Sequence, residues 1–188
     1  MLILSVLFSS SCSGKMKAGQ VISLTLLCVV AASAQENFDA ARYLGTWFNI
    51  QKLPDVFQKG ECSTATYSLK SPEVVGVLNR ELLADGTINS ITASVKAKDP
   101  SEPAKLEVSF IENSPPVPYW VLSTDYDNHG LVYSCTDYGL FHVDFAWIMS
   151  RKQETIVELQ SILASAGVSV DKLLATNQYE AYCSAMSQ

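Results

Sequence analysis

The stretch AARYLGTWFNIQKLP, residues 40–54, sets Gly45-Thr46-Trp47 at the start of an alternating run. Alternation with period two marks a half-buried strand. A strand can hold a tryptophan anywhere along its length, so its place at the mouth of the first strand, just after a glycine, needs a reason. That reason depends on the strands that follow. Apolar and polar residues alternate at every step of Ala104-Lys105-Leu106-Glu107-Val108-Ser109-Phe110, and again in residues 64–70 and 91–98. Turn signals separate such runs: Ser71-Pro72, Asp85-Gly86, Asp99-Pro100, Pro115-Pro116, Asn128-His129-Gly130 and Asp137-Tyr138-Gly139. Reading between them predicts eight strands, near 45–53, 61–70, 74–82, 87–98, 104–112, 118–126, 131–137 and 140–149. Links of hairpin length make the order a meander. Eight short strands can form a sandwich or a barrel. The uninterrupted meander favours an all-β, eight-stranded antiparallel up-and-down barrel, since adjacent pairing continues until the first strand meets the last. Eight strands enclose room for side chains or one small ligand.

One α-helix is expected after the eighth strand, packed outside the barrel. Ser150-Arg151-Lys152-Gln153 has capping-box form. Ile156, Leu159, Leu163 and Ala166 then recur on one face, and Gly167 stops the run. Strand eight offers that face a seat: Val143, Phe145 and Trp147 share one parity, while Ala146 and Ile148 make the other apolar as well. Residues 172–176 read as a short closing strand.

Residues 16–34 have the form of a secretory signal peptide. Lys17 supplies a basic start, residues 21–30 a short apolar run, and Ala31-Ala32-Ser33-Ala34 a small-residue end, with cleavage expected after Ala34. The alternative is an uncleaved anchor, but the run is short for a membrane span. Residues 1–15 have no role in this scheme and form an N-terminal extension. Residues 35–188 then make one domain, large enough for a sizeable core. Of 13 basic residues two precede residue 35, and none of the 19 acidic residues does, so the mature net charge is −8. Such acidity argues against nucleic acid and against a polybasic membrane patch.

If the barrel is open to a ligand at one end, something must close the other. A bulky aromatic at the beginning of strand one can plug the floor, with Gly45 letting the chain at residues 41–44 fold tightly beneath it. Arg151, just past strand eight, comes beside strand one on closure, where its guanidinium can stack on Trp47 for about 1–2 kcal/mol. The alternative is that Trp47 is ordinary core and Arg151 an ordinary helix-start charge. Gly45-x-Trp47, Thr124-Asp125-Tyr126 and Arg151, in this order and on these elements, resemble the three motifs of the lipocalin family. Lys52-Leu53-Pro54, Ala84-Asp85-Gly86-Thr87, Pro118-Tyr119-Trp120 and residues 77–82, 102–108, 131–135 and 140–148 extend the likeness over about residues 36 to 183. The resemblance implies a secreted carrier of small lipophilic molecules, with steroid, fatty acid, retinoid and bilin all admissible.

Parity assigns the expected pocket. Tyr67 and Leu69 of strand two, Ala93 and Val95 of strand four, Leu106, Val108 and Phe110 of strand five, and Phe145 and Trp147 of strand eight point inward. Strand three adds Asn79, a polar side chain on the apolar parity of Val75 and Val77, which needs a partner. Tyr67, Asn79 and Trp147 also match positions that line the pocket of a member of the resembled family. The alternative is that these side chains simply fill the barrel. No Lys or Arg falls on the inward parities of these strands, so a neutral, largely apolar ligand is expected.

Cys62 reads outward and Cys183 lies in the tail. The family pattern implies a bond between them. It also implies a second bond to Cys135, from a cysteine in a segment before Glu36 that this chain lacks, which leaves Cys135 as an expected free thiol or as a link to another chain. Otherwise the chain reads as a monomer. A lipid-isomerising enzyme is the rival class, but His129 and His142 form no dyad or metal spacing legible in sequence, so no catalytic residue, metal or cofactor is expected. A third reading is an interaction protein, in which apolar loops at 53–57 and 115–120 touch a membrane or lipoprotein surface.

Overall fold

A computed structural model describes residues 34–110, 115–153 and 159–187. A single helical turn, α1 (Ala40–Tyr43), leads into eight strands: β1 (Gly45–Lys52), β2 (Glu61–Ser71), β3 (Val74–Leu82), β4 (Ile88–Ala97), β5 (Lys105–Ser109), β6 (Val117–Thr124), β7 (His129–Asp137) and β8 (His142–Ser150). A second helix, α2 (Gln160–Ser165), and a two-residue strand, β9 (Leu174–Ala175), follow. Each of the eight strands pairs antiparallel with the next, and β8 pairs with β1, so the sheet closes as an eight-stranded barrel. β1 starts beside β2 (Gly45 opposite Tyr67) and ends beside β9 (Gln51 opposite Ala175). The signal peptide, the end of the fifth predicted strand near 112 and the first helical turn with Ile156 lie outside the described residues.

The floor is closed by Trp47, which is fully buried. Its Nε1 donates to the Tyr43 carbonyl (2.9 Å), so α1 folds across the barrel end beneath it. The Arg151 guanidinium carbon stands 3.8 Å from the Trp47 ring centroid. The same guanidinium donates to four main-chain carbonyls: Tyr126 (2.9 Å), Thr46 (3.1 Å), Arg42 (3.2 Å) and Leu44 (2.8 Å). One side chain thereby ties α1, β1 and the β6–β7 turn together. Gly45 has φ +96°, and a Cβ there would sit 3.1 Å from Arg151 Nη1. Glycine is required both by the backbone conformation and by the approach of the guanidinium.

Thr124-Asp125-Tyr126 holds the β6–β7 turn. Thr124 Oγ1 donates to the His129 carbonyl (2.7 Å) and accepts from the Tyr126 N–H (2.9 Å). Asp125 accepts from Asn128 Nδ2 (2.7 Å) and from the N–H groups of His129 and Asn128, both at 2.9 Å, and against the opposing effect of burial these bonds hold its carboxyl well below the usual carboxylate range. The Tyr126 hydroxyl accepts the Asp39 N–H (2.9 Å), and the Arg42 guanidinium lies over the Tyr126 ring at 4.2 Å.

Outside the barrel, Leu159, Leu163 and Ala166 pack on Leu122, Leu131, Ala146 and Ile148. Both parities of β8 are thus used, one by the lumen and one by the helix. Gly167 ends the helix at φ +80°. Near the predicted start, the Lys152 N–H bonds Ser150 Oγ (3.0 Å). The Cys62–Cys183 disulfide is present and closes a loop of 121 residues. Cys135, expected to be a free thiol, is disulfide-bonded and buried. Its partner lies outside the described residues. With Cys62 and Cys183 joined to each other, the expectation had counted no partner for Cys135 within residues 35–188.

Three tyrosines sit above the floor. The Tyr43 ring lies 4.8 Å from Trp47 and 5.3 Å from Tyr67. The hydroxyls of Tyr67 and Tyr119 are hydrogen-bonded to each other. Burial pushes all three phenols up, Tyr67 to about 12.

Two outcomes follow from this base. Arg151→Ala should lower the unfolding free energy by about 2–4 kcal/mol, since several carbonyls lose a charged donor at once. Gly45→Ala should cost about 1–2 kcal/mol through its positive φ. Urea unfolding measures both. The tyrosines give a pH test. A raised phenol value means that the fold favours the neutral form. The stability this confers is complete below the unfolded value, about 10, and is lost as pH climbs towards 12. Tyrosinate absorbance of the cluster should therefore appear only with alkaline unfolding, and a smooth titration in the folded state would contradict it.

Candidate ligand cavity

Above the tyrosines the barrel encloses a cavity of about 470 Å³. Ala65, Val77, Val95, Val108 and Met149 form its apolar wall. Aromatic rings line another side: Trp147 lies 5.9 Å from Phe145 and 6.3 Å from Tyr119, and Phe145 meets Phe57 edge-on at 5.1 Å.

Nearer the mouth the wall becomes polar. Trp147 Nε1 donates to Gln58 Oε1 (2.8 Å), Gln58 Nε2 to Ser63 Oγ (3.3 Å) and Asn49 Nδ2 to Ser63 Oγ (2.6 Å). Glu81 accepts the Gly60 N–H (2.7 Å) and Asn89 Nδ2 (2.8 Å). A bulge in β2 sets both Cys62 and Ser63 against β3 between the pairs Glu61–Leu82 and Thr64–Arg80, with Cys62 at φ +56°. The β1–β2 connection, residues 53–60, carries Phe57 and Gln58 and is anchored from within. Lys52 Nζ meets Asp55 Oδ2 at 2.9 Å, with both side chains almost wholly buried, and Asp55 Oδ1 accepts the Phe57 N–H (3.0 Å). Such a buried pair sets a loop conformation more than it adds net stability.

Of the side chains expected inside, Tyr67, Asn79, Val95, Val108, Phe110, Phe145 and Trp147 line this cavity. Phe110 is at the mouth, 41% exposed. Ala93 and Leu106 are buried in the surrounding cluster but do not line the space. The Ala93 methyl is short beside Val77 and Val95, and Leu106 is one pleat nearer the floor than Val108. Leu69 is a correction: it is 62% exposed. β1 begins at Gly45, opposite Tyr67, so Leu69 lies below the floor where no first strand faces it.

Glu81, Arg80, Asn49, Gln58 and Tyr119 are cavity residues that the sequence reading did not single out, and Arg80 brings to the wall a cation that the inward parities did not foretell. Glu81 shares the parity of Val77 and Asn79, and Asn49 that of Trp47, so strand alternation carries a signal for both. Gln58 reaches the cavity through a loop, and no periodicity marks it. On the outer face, His129 stands between Asp125 (3.5 Å) and Ser123 (3.4 Å), but none of the three lines the cavity.

Comparison with known proteins agrees with this geometry. The lipocalin-like domain family matches residues 38–178. Apolipoprotein D of Mus musculus is 50% identical over 149 residues, covering 77% of this chain and 79% of that protein. Apolipoprotein D of Macaca fascicularis is 42% identical over 182 residues, covering 94% and 96%. Among solved structures, lobster apocrustacyanin A1 superposes with a TM-score of 0.71 at 22% identity, over 87% of this chain and 96% of that one, a likeness of fold. By motif, closed barrel and relatives together, this chain belongs to the lipocalin family.

Proposed function

We propose that the chain is a secreted, non-enzymatic carrier that holds one small lipophilic molecule inside the barrel. The observation that supports this reading is the cavity itself, about 470 Å³, apolar on most of its wall and stoppered below by Trp47. Pockets of this size and lining take drug-sized apolar ligands. Burial of about 300 Å² of ligand surface contributes roughly 7–8 kcal/mol, from which the cost of association is subtracted. Tyr67 and Asn79, both on the cavity wall, would add a hydrogen bond in this reading. Residues 16–34, removed after Ala34, would direct export and leave residues 35–188 as the mature domain, and the resemblance to apolipoprotein D supports secretion. Against an enzyme that uses Cys62 or Cys183 as a thiol stands the disulfide that joins them. Steroid, fatty acid, retinoid and bilin remain the candidate classes. Titrating such a panel should quench Trp147 fluorescence, and Trp147→Phe should remove most of the response. Absence of any binding below about 100 μM, roughly −5.5 kcal/mol, would overturn the carrier reading.

A second reading has its own observation. Val56 (84% exposed) and Leu140 (90%) stand at the mouth end with Phe57, Tyr138 and Phe141. Tyr138 and Phe141 stack at 5.1 Å. Exposed apolar side chains gathered on two adjacent connections suit a lipid surface. The carrier would load and unload there through this rim. Leu140 and Phe141 do not line the cavity, so Leu140→Glu with Phe141→Glu should abolish co-flotation with phosphatidylcholine vesicles while Trp147 quenching persists. Equal flotation of the double variant would remove the rim from the account.

A further inference from the structure

We infer that Glu81 selects the polar head of the ligand: the cavity takes a lipophile whose head donates a hydrogen bond, an alcohol, in preference to one that ends in a carboxylate. This deepens the carrier reading and rests on it. Glu81 lies on the inward parity of β3, lines the cavity and is 4% exposed. Its Oε2 accepts the Gly60 N–H and its Oε1 accepts Asn89 Nδ2. An ionised carboxylate offers about four acceptor positions, so half its capacity is unused. Among the described residues, the cations in ion pairs are Arg42, Lys52, Lys98, Lys105 and His129, and none of them pairs with Glu81. Arg80 also lines the cavity, but its guanidinium is directed to the tail, where it donates to the Met186 carbonyl (3.1 Å). A buried carboxylate with spare acceptor positions and no ion-pair partner among the described residues favours a donor over a second carboxylate.

A second acceptor stands at the same level. Asn49 Oδ1 is buried without a hydrogen-bond partner, and Asn49 also lines the cavity. Asn49 on β1, Ser63 on β2, Glu81 on β3 and Asn89 on β4 thus make a polar row across four adjacent strands. Below the row, Asn79 apart, the wall is mostly apolar. A ligand fits this arrangement with its tail towards Val77, Val95 and Val108 and its hydroxyl at the row, replacing water that the acceptors would otherwise hold. A fatty acid in the same pose sets carboxylate against carboxylate.

The test uses three probes with one sixteen-carbon chain: hexadecanol, methyl palmitate and palmitate, titrated at neutral pH and physiological salt. On the wild-type protein hexadecanol should bind at least about tenfold more tightly than palmitate, with methyl palmitate between them, because only the alcohol donates and only the acid is charged. Glu81→Gln keeps the shape, and Asn89 can turn its amide to accept from it. In that variant the preference should fall to within about threefold. Palmitate binding as tightly as hexadecanol to the wild type overturns the inference without any variant, and so does an unchanged preference in a folded Glu81→Gln protein. Failure of all three probes, and of the wider lipophile panel, instead removes the carrier reading beneath it.

Discussion

Arg151 is the one side chain on which the rest of the barrel depends. Its guanidinium stands over the Trp47 ring and donates to carbonyls of α1, β1 and the β6–β7 turn. An up-and-down sheet has no intrinsic reason to end in a sealed base. Four orphan carbonyls gathered beneath an indole would each seek water, and water there would open the floor. A single planar cation with five donors satisfies them together. Gly45 is the local condition for this arrangement, since a methyl at that position meets the guanidinium.

What the floor permits is a graded interior. Immediately above it, Tyr43, Tyr67 and Tyr119 fill the section with aromatic bulk and leave little space. Higher, valines and Met149 give an apolar room, and the level of Asn49, Ser63 and Glu81 turns polar. A sealed base, an apolar middle and a polar level below the mouth are the arrangement on which the proposed orientation of an amphiphile rests. The loop over the rim is not loosely hung: Lys52 and Asp55 are buried against each other, and the Gln58 carboxamide joins Trp147 to Ser63. Residues 53–60 therefore belong to the cavity as much as any strand does.

Outside, α2 and the tail consume the remaining apolar surface. Leu163 is fully buried against the outer parity of β7 and β8, and Cys183 fastens the tail to the bulge at Cys62. These additions explain how a sheet whose eighth strand is apolar on both sides avoids an exposed face. The apolar rim around the mouth is left exposed to solvent.

Strand number, meander order, the outer helix and most of the lumen were legible in residues 35–188, because alternation in a strand binds sequence parity directly to side-chain direction. Tyr67, Asn79, Val95, Val108, Phe145 and Trp147 reached the cavity for that reason. Parity names a face but not a height, which is why Leu69 reads inward and yet stands below the floor, and why Leu106 and Ala93 are packed out of the open space. Gln58 and the pairing of Lys52 with Asp55 come from a loop, where no period operates. The sequence alone determined which residues face in. Only the closed barrel decided which of them meet empty space, because register and shear between strands set the level of each side chain along the axis, and those are properties of the pairs rather than of any one strand.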